Sequence, residues 1–174
     1  MLDVSISYNR YKFLGHEFLT WLWFVMEKDP QRIKGLDQEP LTLRIGNRMV
    51  LENRRADALE SVTIKGDDAG LEEGLLALRK GAVVTEMNLL YEAGDNEWQF
   101  TIKGESLHLT SFRCPQIGPV ETEEDVEGAV LEKAYLYEKA MELTDKLFKE
   151  FITLRVSDQW PKKVVPRVRK WIHS

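Results

Sequence analysis

The segment Tyr11–Lys28, YKFLGHEFLTWLWFVMEK, constrains the fold most, because it reads as a helix that is apolar on nearly every side. Leu14, Phe18 and Trp21 follow helical spacing, and the aromatic residues that come next widen this stripe. Pro30 ends the helix, since proline disfavours a helical residue before it and cannot continue the hydrogen-bond ladder. We therefore expect a helix that is covered by other elements on more than one side.

Alternating apolar and polar residues predict an antiparallel sheet in the middle of the chain. Leu41–Ile45 and Met49–Leu51 alternate on either side of Gly46-Asn47, a pattern that is typical of a β-hairpin. Turn residues separate the later strands and indicate a meander. The further strands are predicted at Ser61–Lys65, Ala82–Tyr91, Glu97–Lys103 and Leu107–Phe112.

Two more helices have clear start signals. Asp67 and Asp68 can cap a short helix over Leu71–Lys80, and Gly81 stands at its C-terminal cap position. Thr122 and Asp125 have capping-box spacing and begin a helical pattern that reaches about Val156. Such a helix, ~45 Å long, either overhangs the sheet or packs against another chain. After the long helix, Ser157 can cap a final, proline-interrupted segment over Trp160–Ile172.

The predicted fold class is α+β. An antiparallel β-sheet, made of a hairpin plus a meander, is combined with an apolar N-terminal helix, a short middle helix and a long C-terminal helix. We expect an α+β sheet domain over residues 1–115. Residues 116–174 then form the long C-terminal helix, with a short basic terminal helix packing on it.

The composition is that of a soluble globular protein, since 43% of the 174 residues are hydrophobic and 30% are charged. This excludes wholesale disorder and a multi-pass membrane protein. The apolar run Trp21–Met26 is far shorter than the ~20 residues that span a bilayer, and residues 1–5 lack the features of a signal peptide. The single Cys114 cannot form an internal disulfide. We expect a cytoplasmic protein without membrane contact.

The charge is unevenly distributed. The whole chain has a net charge of -5, but residues 161–174 carry five basic side chains and no acidic one, which leaves -10 on the other 160 residues. A basic end is compatible with nucleic-acid binding if its side chains share one surface. The alternative is that this tail only neutralises the acidic helix before it. Arg44, Arg48, Arg54 and Arg55 give a second, weaker signal for phosphate contacts.

Motifs for catalysis are absent from the sequence. It contains no P-loop, no Gly-x-Gly-x-x-Gly, no nucleophile elbow and no Cys-x-x-Cys. His16, His108 and His173 fall in three separate elements, and the adjacent His16 and Glu17 point about 100° apart on a helix. We predict no catalytic residue, metal site or cofactor. The remaining alternative is a hydrolase, which would need a pocket that gathers His16, Glu17 or His108 with other acids.

Three segments resemble, in the same order, the C-terminal part of RdgC-like proteins: Phe13–Phe24, Gly81–Phe112 and Glu132–Trp160. The run FLGHEFLTWLWF in the first segment is the most specific of the three. The second segment is similar to the family's Gly-Lys-Val-Val-Thr-Lys strand and the meander after it, with Ala82 and Glu86 in place of the two lysines.

The resemblance implies a non-enzymatic accessory protein of DNA recombination and replication, which would be associated with the nucleoid if it binds DNA. RdgC-like proteins form ring-shaped dimers with a positively charged hole, bind double-stranded DNA with little sequence preference and restrain RecA-type recombination. The alternative is an interaction or assembly module derived from RdgC, without DNA affinity. Such a module would form a homo-oligomer or bind a protein partner through the long C-terminal helix, and its apolar first helix would also contact protein. The predicted phosphate contacts are Lys65, Arg79, Lys80, Lys162, Lys163, Arg167, Arg169 and Lys170.

Overall fold

The computed structural model describes residues 4–37, 39–55 and 58–174, and the side chains of residues 13–37, 39–53 and 58–174. Within these residues the α+β fold class is confirmed, with a five-stranded antiparallel sheet in the order β2-β1-β3-β4-β5. The strands are β1 (Leu41–Arg55), β2 (Ala58–Ile64), β3 (Val83–Ala93), β4 (Asn96–Lys103) and β5 (Leu109–Arg113). The helices are α1 (Val4–Lys28), α2 (Pro30–Lys34), α3 (Asp68–Arg79), α4 (Glu123–Arg155) and α5 (Val165–His173), with a π-helical turn at Trp160–Val164 before α5.

One face of the sheet is apolar and the other is polar, because side chains alternate along each strand. Leu43, Tyr91 and Trp98 are register partners on β1, β3 and β4, and all three are buried in the core. Arg44 follows Leu43 on β1, and Glu92 follows Tyr91 on β3. Both lie on the opposite face of the sheet, where they form an ion pair at 2.9 Å. The apolar face therefore carries the layer of helices.

The prediction that the first helix is covered on several sides is confirmed. Helix α1 packs on β3, and its buried Phe18 lies 5.6 Å from Phe151 of α4, measured between ring centroids. On another side, Trp23 meets Trp171 of α5 at 5.1 Å. An ion pair between Glu17 and Arg155, at 2.7 Å, adds a polar contact to α4. Helix α1 is thus enclosed by the sheet and by both C-terminal helices.

The predicted hairpin turn at Gly46-Asn47 is wrong, because β1 runs through these residues as one strand. The strand pairs with β3 on both sides of an irregularity between Ile45 and Met49. The side chain of Asn88 on β3 lies at this irregularity. Its Oδ1 accepts hydrogen bonds from the backbone N–H of Asn47 at 3.2 Å and from Gln99 Nε2 at 2.8 Å. A Cβ on Gly46 would overlap Asn88 Oδ1, so the glycine marks a bulge. The hairpin instead joins β1 to β2.

Both predicted helix caps are confirmed. Asp67 accepts a hydrogen bond from the backbone N–H of Gly70 at 2.8 Å, and Gly81 follows α3 with a φ of 93°. Thr122 and Asp125 form the expected capping box at the start of α4. These local signals fix where both helices begin, independently of their packing.

The proposed division near residue 115 stays a prediction. A single apolar core includes residues from both parts, among them Trp98 from the first and Phe151 and Trp171 from the second. We expected the terminal helix to pack on the long one. Trp160 does contact Phe151 of α4, at 5.4 Å between ring centroids, whereas α5 itself packs on α1 and α3.

The close approach of α1 to the turn after β4 generates a first prediction, for Gly15→Ala. A Cβ at residue 15 would overlap the carbonyl oxygen of Gly104, which belongs to the backbone and cannot move aside cheaply. We expect a loss of about 1–3 kcal/mol in the free energy of unfolding, measured with urea. The matched control is Gly128→Ala on α4, where nothing lies within 4 Å of the new Cβ. The control should be neutral or stabilising by up to about 1 kcal/mol. Equal losses in the two variants would contradict this account.

Candidate functional site

Helix α5 carries several of the predicted DNA contacts, and Glu27 of α1 holds it in place. The Glu27 carboxylate accepts a hydrogen bond from Trp23 Nε1 at 2.6 Å and another from Trp171 Nε1 at 2.9 Å. Both indole rings are buried, and the exposed Glu27 carboxylate accepts from both of their N–H groups at the edge of the core. The sequence did not point to Glu27, since the role depends on two tryptophans that are 148 positions apart.

The C-terminal ends of α3 and α5 meet, so four predicted contacts lie on or next to the last turns of these two helices. Arg79 Nε donates a hydrogen bond to the carbonyl oxygen of Ile172, near the end of α5. Lys80 follows Arg79 in the chain, and Arg169 and Lys170 lie within one turn before Ile172. All four basic side chains are exposed. We refer to Arg79, Lys80, Arg169 and Lys170 as the basic cluster.

The basic cluster keeps most of its charge available to a ligand. In the part of the chain that the structure describes, no carboxylate forms an ion pair with Lys80, Arg169 or Lys170. Arg169 also lines an apolar groove of about 410 Å³ between α1, α5 and the start of β3. Phosphate oxygens would therefore meet cations that are not neutralised by a neighbouring acid.

Other predicted contacts already have partners. Lys162 forms an ion pair with Asp158 at 3.1 Å. Arg167 lies 3.8 Å from Asp29 and over the ring of Phe24, 5.4 Å from its centroid. Both residues are exposed, but a phosphate group would compete with these contacts.

The rest of the predicted set is dispersed. Lys65 precedes α3, whereas Arg79 ends it, so the length of the helix, about 18 Å, separates them. Lys163 belongs to the π-helical turn at the opposite end of α5 from the basic cluster. Arg167 and Arg169 point about 160° apart around α5. The structure thus brings together about half of the predicted contacts.

The second basic group lies on β1. Its two arginines with described side chains, Arg44 and Arg48, are neutralised by ion pairs. Arg44 pairs with Glu92 at 2.9 Å, and Arg48 pairs with Glu86 at 3.4 Å. Glu86 also binds Lys103 at 3.5 Å. The side chains of Arg54 and Arg55 lie outside the described residues.

Only two of the three residues considered for a hydrolase share a groove, and no further acid in the described part of the chain lines that groove. His16 and Glu17 line the apolar groove beside Arg169, and Glu17 is held by Arg155 at 2.7 Å. His108 lines a different groove, between β5 and α4. Burial raises the pKa of the Cys114 thiol above its ordinary value, which disfavours the reactive thiolate. Among the described residues, no group of three or more His, Cys, Asp and Glu could hold a metal ion.

The first third of α4 extends beyond the core as the sequence led us to expect. Residues 123–135, which we call the arm, are exposed apart from a partly buried Ala129.

Hydrogen bonds from the Thr122 side chain and backbone hold the pKa of the Asp125 carboxyl below its ordinary value, so this cap stays charged at neutral pH. The cap is lost as the pH falls through that lowered pKa.

An exposed apolar stripe runs along the arm and onto the domain. Its members follow one another three or four positions apart, over about 22 Å of helix. Val130 is 61% exposed and Met141 is 55% exposed. The stripe continues beside β5, where Tyr137 stacks on Phe112 with ring centroids 4.5 Å apart. The sequence predicted the helix that carries these residues but not that their side chains are exposed. The stripe consists of Val126, Val130, Ala134, Tyr137 and Met141.

Comparison with known proteins gives no relative for this chain. No protein family, curated protein or solved structure matches it. The resemblance to RdgC-like proteins therefore stays a prediction. No helix in the described parts of the chain is long and apolar enough to cross a membrane.

The two hydrogen bonds to Glu27 generate a second prediction, for Glu27→Ala. The substitution removes the shared acceptor of two indole N–H groups at an exposed position that water can also reach, so we expect a loss of about 1–2 kcal/mol in the free energy of unfolding. Urea unfolding followed by tryptophan fluorescence measures it. Glu132→Ala on the arm removes the same charge without such contacts, and it should change stability by less than about 0.5 kcal/mol. A Glu27 variant as stable as this control would show that the two hydrogen bonds do not hold α5.

Proposed function

We propose that this chain is a non-enzymatic, RdgC-like accessory protein of DNA recombination and replication, which binds duplex DNA through phosphate contacts. The observation that carries the proposal is the basic cluster, where cations from α3 and α5 meet on a protein with a net charge of -5. The resemblance of Phe13–Phe24 to RdgC-like proteins gives the proposal its biological context. Phosphate contacts carry no base readout, so the binding would be independent of sequence.

The size of the basic cluster limits the expected affinity. Each neutralised phosphate contributes about -0.9 to the slope of log affinity against log salt. Four cations therefore give a slope of about -3.6, and the affinity should fall about a hundredfold between ~50 and ~200 mM salt. We expect weak, salt-sensitive binding by one chain.

A charge variant of the basic cluster tests this proposal, and it is our third prediction. Replacing Lys80, Arg169 and Lys170 with Gln leaves the Arg79 hydrogen bond in place and removes three cations. Binding of a labelled duplex, measured by fluorescence anisotropy over a salt series, should weaken, with a slope shallower by about 3. The matched control replaces Lys133, Lys146 and Lys149, three exposed lysines of α4, with Gln.

The control should bind DNA as the unmodified chain does. If both triple variants lost the same affinity, net charge alone would explain the weaker binding, and a phosphate site at the basic cluster would be contradicted. No binding of the unmodified chain at the lower salt concentration would exclude the DNA-binding function.

A second candidate function is a protein-interaction module without DNA affinity, in which the arm contacts another protein. The apolar stripe favours it, since a row of exposed apolar side chains on one helix face is typical of an interaction surface. The stripe variant, Val130→Gln with Met141→Gln, separates the two candidates. It should leave duplex binding unchanged if DNA is the ligand, and it should abolish retention of a protein partner if the arm binds protein.

A further inference from the structure

The apolar groove beside Arg169 has the size and lining of a small-molecule site. Its volume is about 410 Å³, within the range of roughly 300–1,000 Å³ that is usual for ligand pockets. The buried Trp21 and the partly buried Trp160 line it. Phe13 and Val83 also line it, although they are 46% and 39% exposed. A ligand in the groove would remove these two side chains from water, which favours an apolar group.

The fold holds the groove in shape. Its walls come from α1, the end of α3, the start of β3, and the π-helical turn with α5. Arg79 joins two of these walls through its hydrogen bond to Ile172, and Trp171 packs α5 against α1. A ligand would therefore not need to order the protein before it binds.

The charge of the lining favours an anion. Among the described residues of the groove, Glu17 is the only acid and Arg169 is the only Lys or Arg. Glu17 is already held by Arg155 at 2.7 Å, and His16 adds no negative charge. No carboxylate in the described parts of the chain forms an ion pair with Arg169. The groove thus offers one positive charge that no acid neutralises.

A carboxylate matches this charge better than a phosphate does. The guanidinium of Arg169 carries one positive charge, and its fork of N–H groups can bind both oxygens of one carboxylate. A phosphate monoester carries nearly two negative charges at neutral pH. Its second charge would lie unpaired against an apolar lining, which costs free energy.

The groove is too small to serve as a protein interface by itself. Thirteen described residues line it, whereas a stable interface uses about 20–30 residues on each side. A protein occupant, including a second copy of this chain, would need contacts outside the groove. The volume therefore favours a small ligand.

We propose that the apolar groove binds a free monocarboxylate with an apolar tail, such as a medium-chain fatty acid. The carboxylate pairs with Arg169, and the tail lies against Trp21, Trp160 and the exposed side chains of Phe13 and Val83. This site goes beyond both candidate functions and rests on neither. Because Arg169 also belongs to the basic cluster, a bound carboxylate would occupy one of its four cations.

Three ligands with tails of matched length test the charge, as our fourth prediction. Octanoate is negative, 1-octanol is neutral and octylammonium is positive. Calorimetric titration into the full chain should show octanoate binding about fivefold more tightly than 1-octanol, and octylammonium binding most weakly. The advantage of octanoate should shrink as salt is raised, because Arg169 is exposed.

Chain length tests the apolar lining with the head group unchanged. A fully buried methylene tightens binding by about fourfold, and a partly buried one by less. From butanoate to hexanoate and octanoate, the affinity should therefore rise by about two- to fourfold for each methylene.

A charge variant assigns the head group to Arg169. Arg169→Gln should remove the preference for octanoate over 1-octanol, since it deletes the cation and keeps most of the side chain. The matched control is Arg113→Gln, which replaces an exposed arginine of β5 outside the groove. The control should bind all three ligands as the unmodified chain does.

An apolar variant assigns the tail to the groove. Phe13→Gln with Val83→Gln should weaken octanoate and 1-octanol alike, by at least about fivefold, because both ligands lose the same apolar contacts. The control is Leu59→Gln with Val156→Gln, which replaces two apolar side chains that are 57% and 80% exposed elsewhere.

Three results would overturn the proposal. One is equal binding of the three ligands, and another is octanoate binding that the charge variant or the apolar variant leaves unchanged. The third is no binding of octanoate below the concentration at which it forms micelles. The titrations contain no DNA, so none of these results would decide whether the basic cluster binds a duplex.

Discussion

The burial of α1 is the interaction on which the rest of the structure depends. The helix packs on β3, its aromatic side chains contact α4 and α5, and all of these elements share one apolar core. The small Gly15 lets the helix backbone approach the turn at Gly104, and Glu27 satisfies two buried indoles on the far side. Enclosing such a helix removes much apolar surface from water, and that burial favours folding.

The position of α1 determines where the two candidate sites lie. Because α5 is fixed on α1 and α3 lies beside it, the ends of α3 and α5 that carry these cations adjoin each other. Because α4 is fixed only over its later turns, its first turns are left to project. The two surfaces are opposite in charge and belong to different helices. A DNA-binding function and a protein-binding function would therefore use separate parts of the molecule.

The sequence predicted the features that depend on near neighbours. Both helix caps, the proline stop and the meander were recognisable because they are set by residues a few positions apart. The bulge at Gly46-Asn47 was not, since its cause is Asn88, a side chain on another strand. The basic residues show the same limit. Their number was evident from the sequence, but which of them meet depended on contacts such as the one between Arg79 and Ile172.

The Asn88 side chain has a consequence for how the sheet is aligned. It joins the bulged part of β1 to β4 through Asn47, Gln99 and Thr101. A one-residue slip of β1 against β3 would turn its inward side chains to the solvent. That slip would also break these hydrogen bonds and press a side chain into the space left by Gly46. A single buried amide thus specifies one alignment of the central strands and excludes the neighbouring ones.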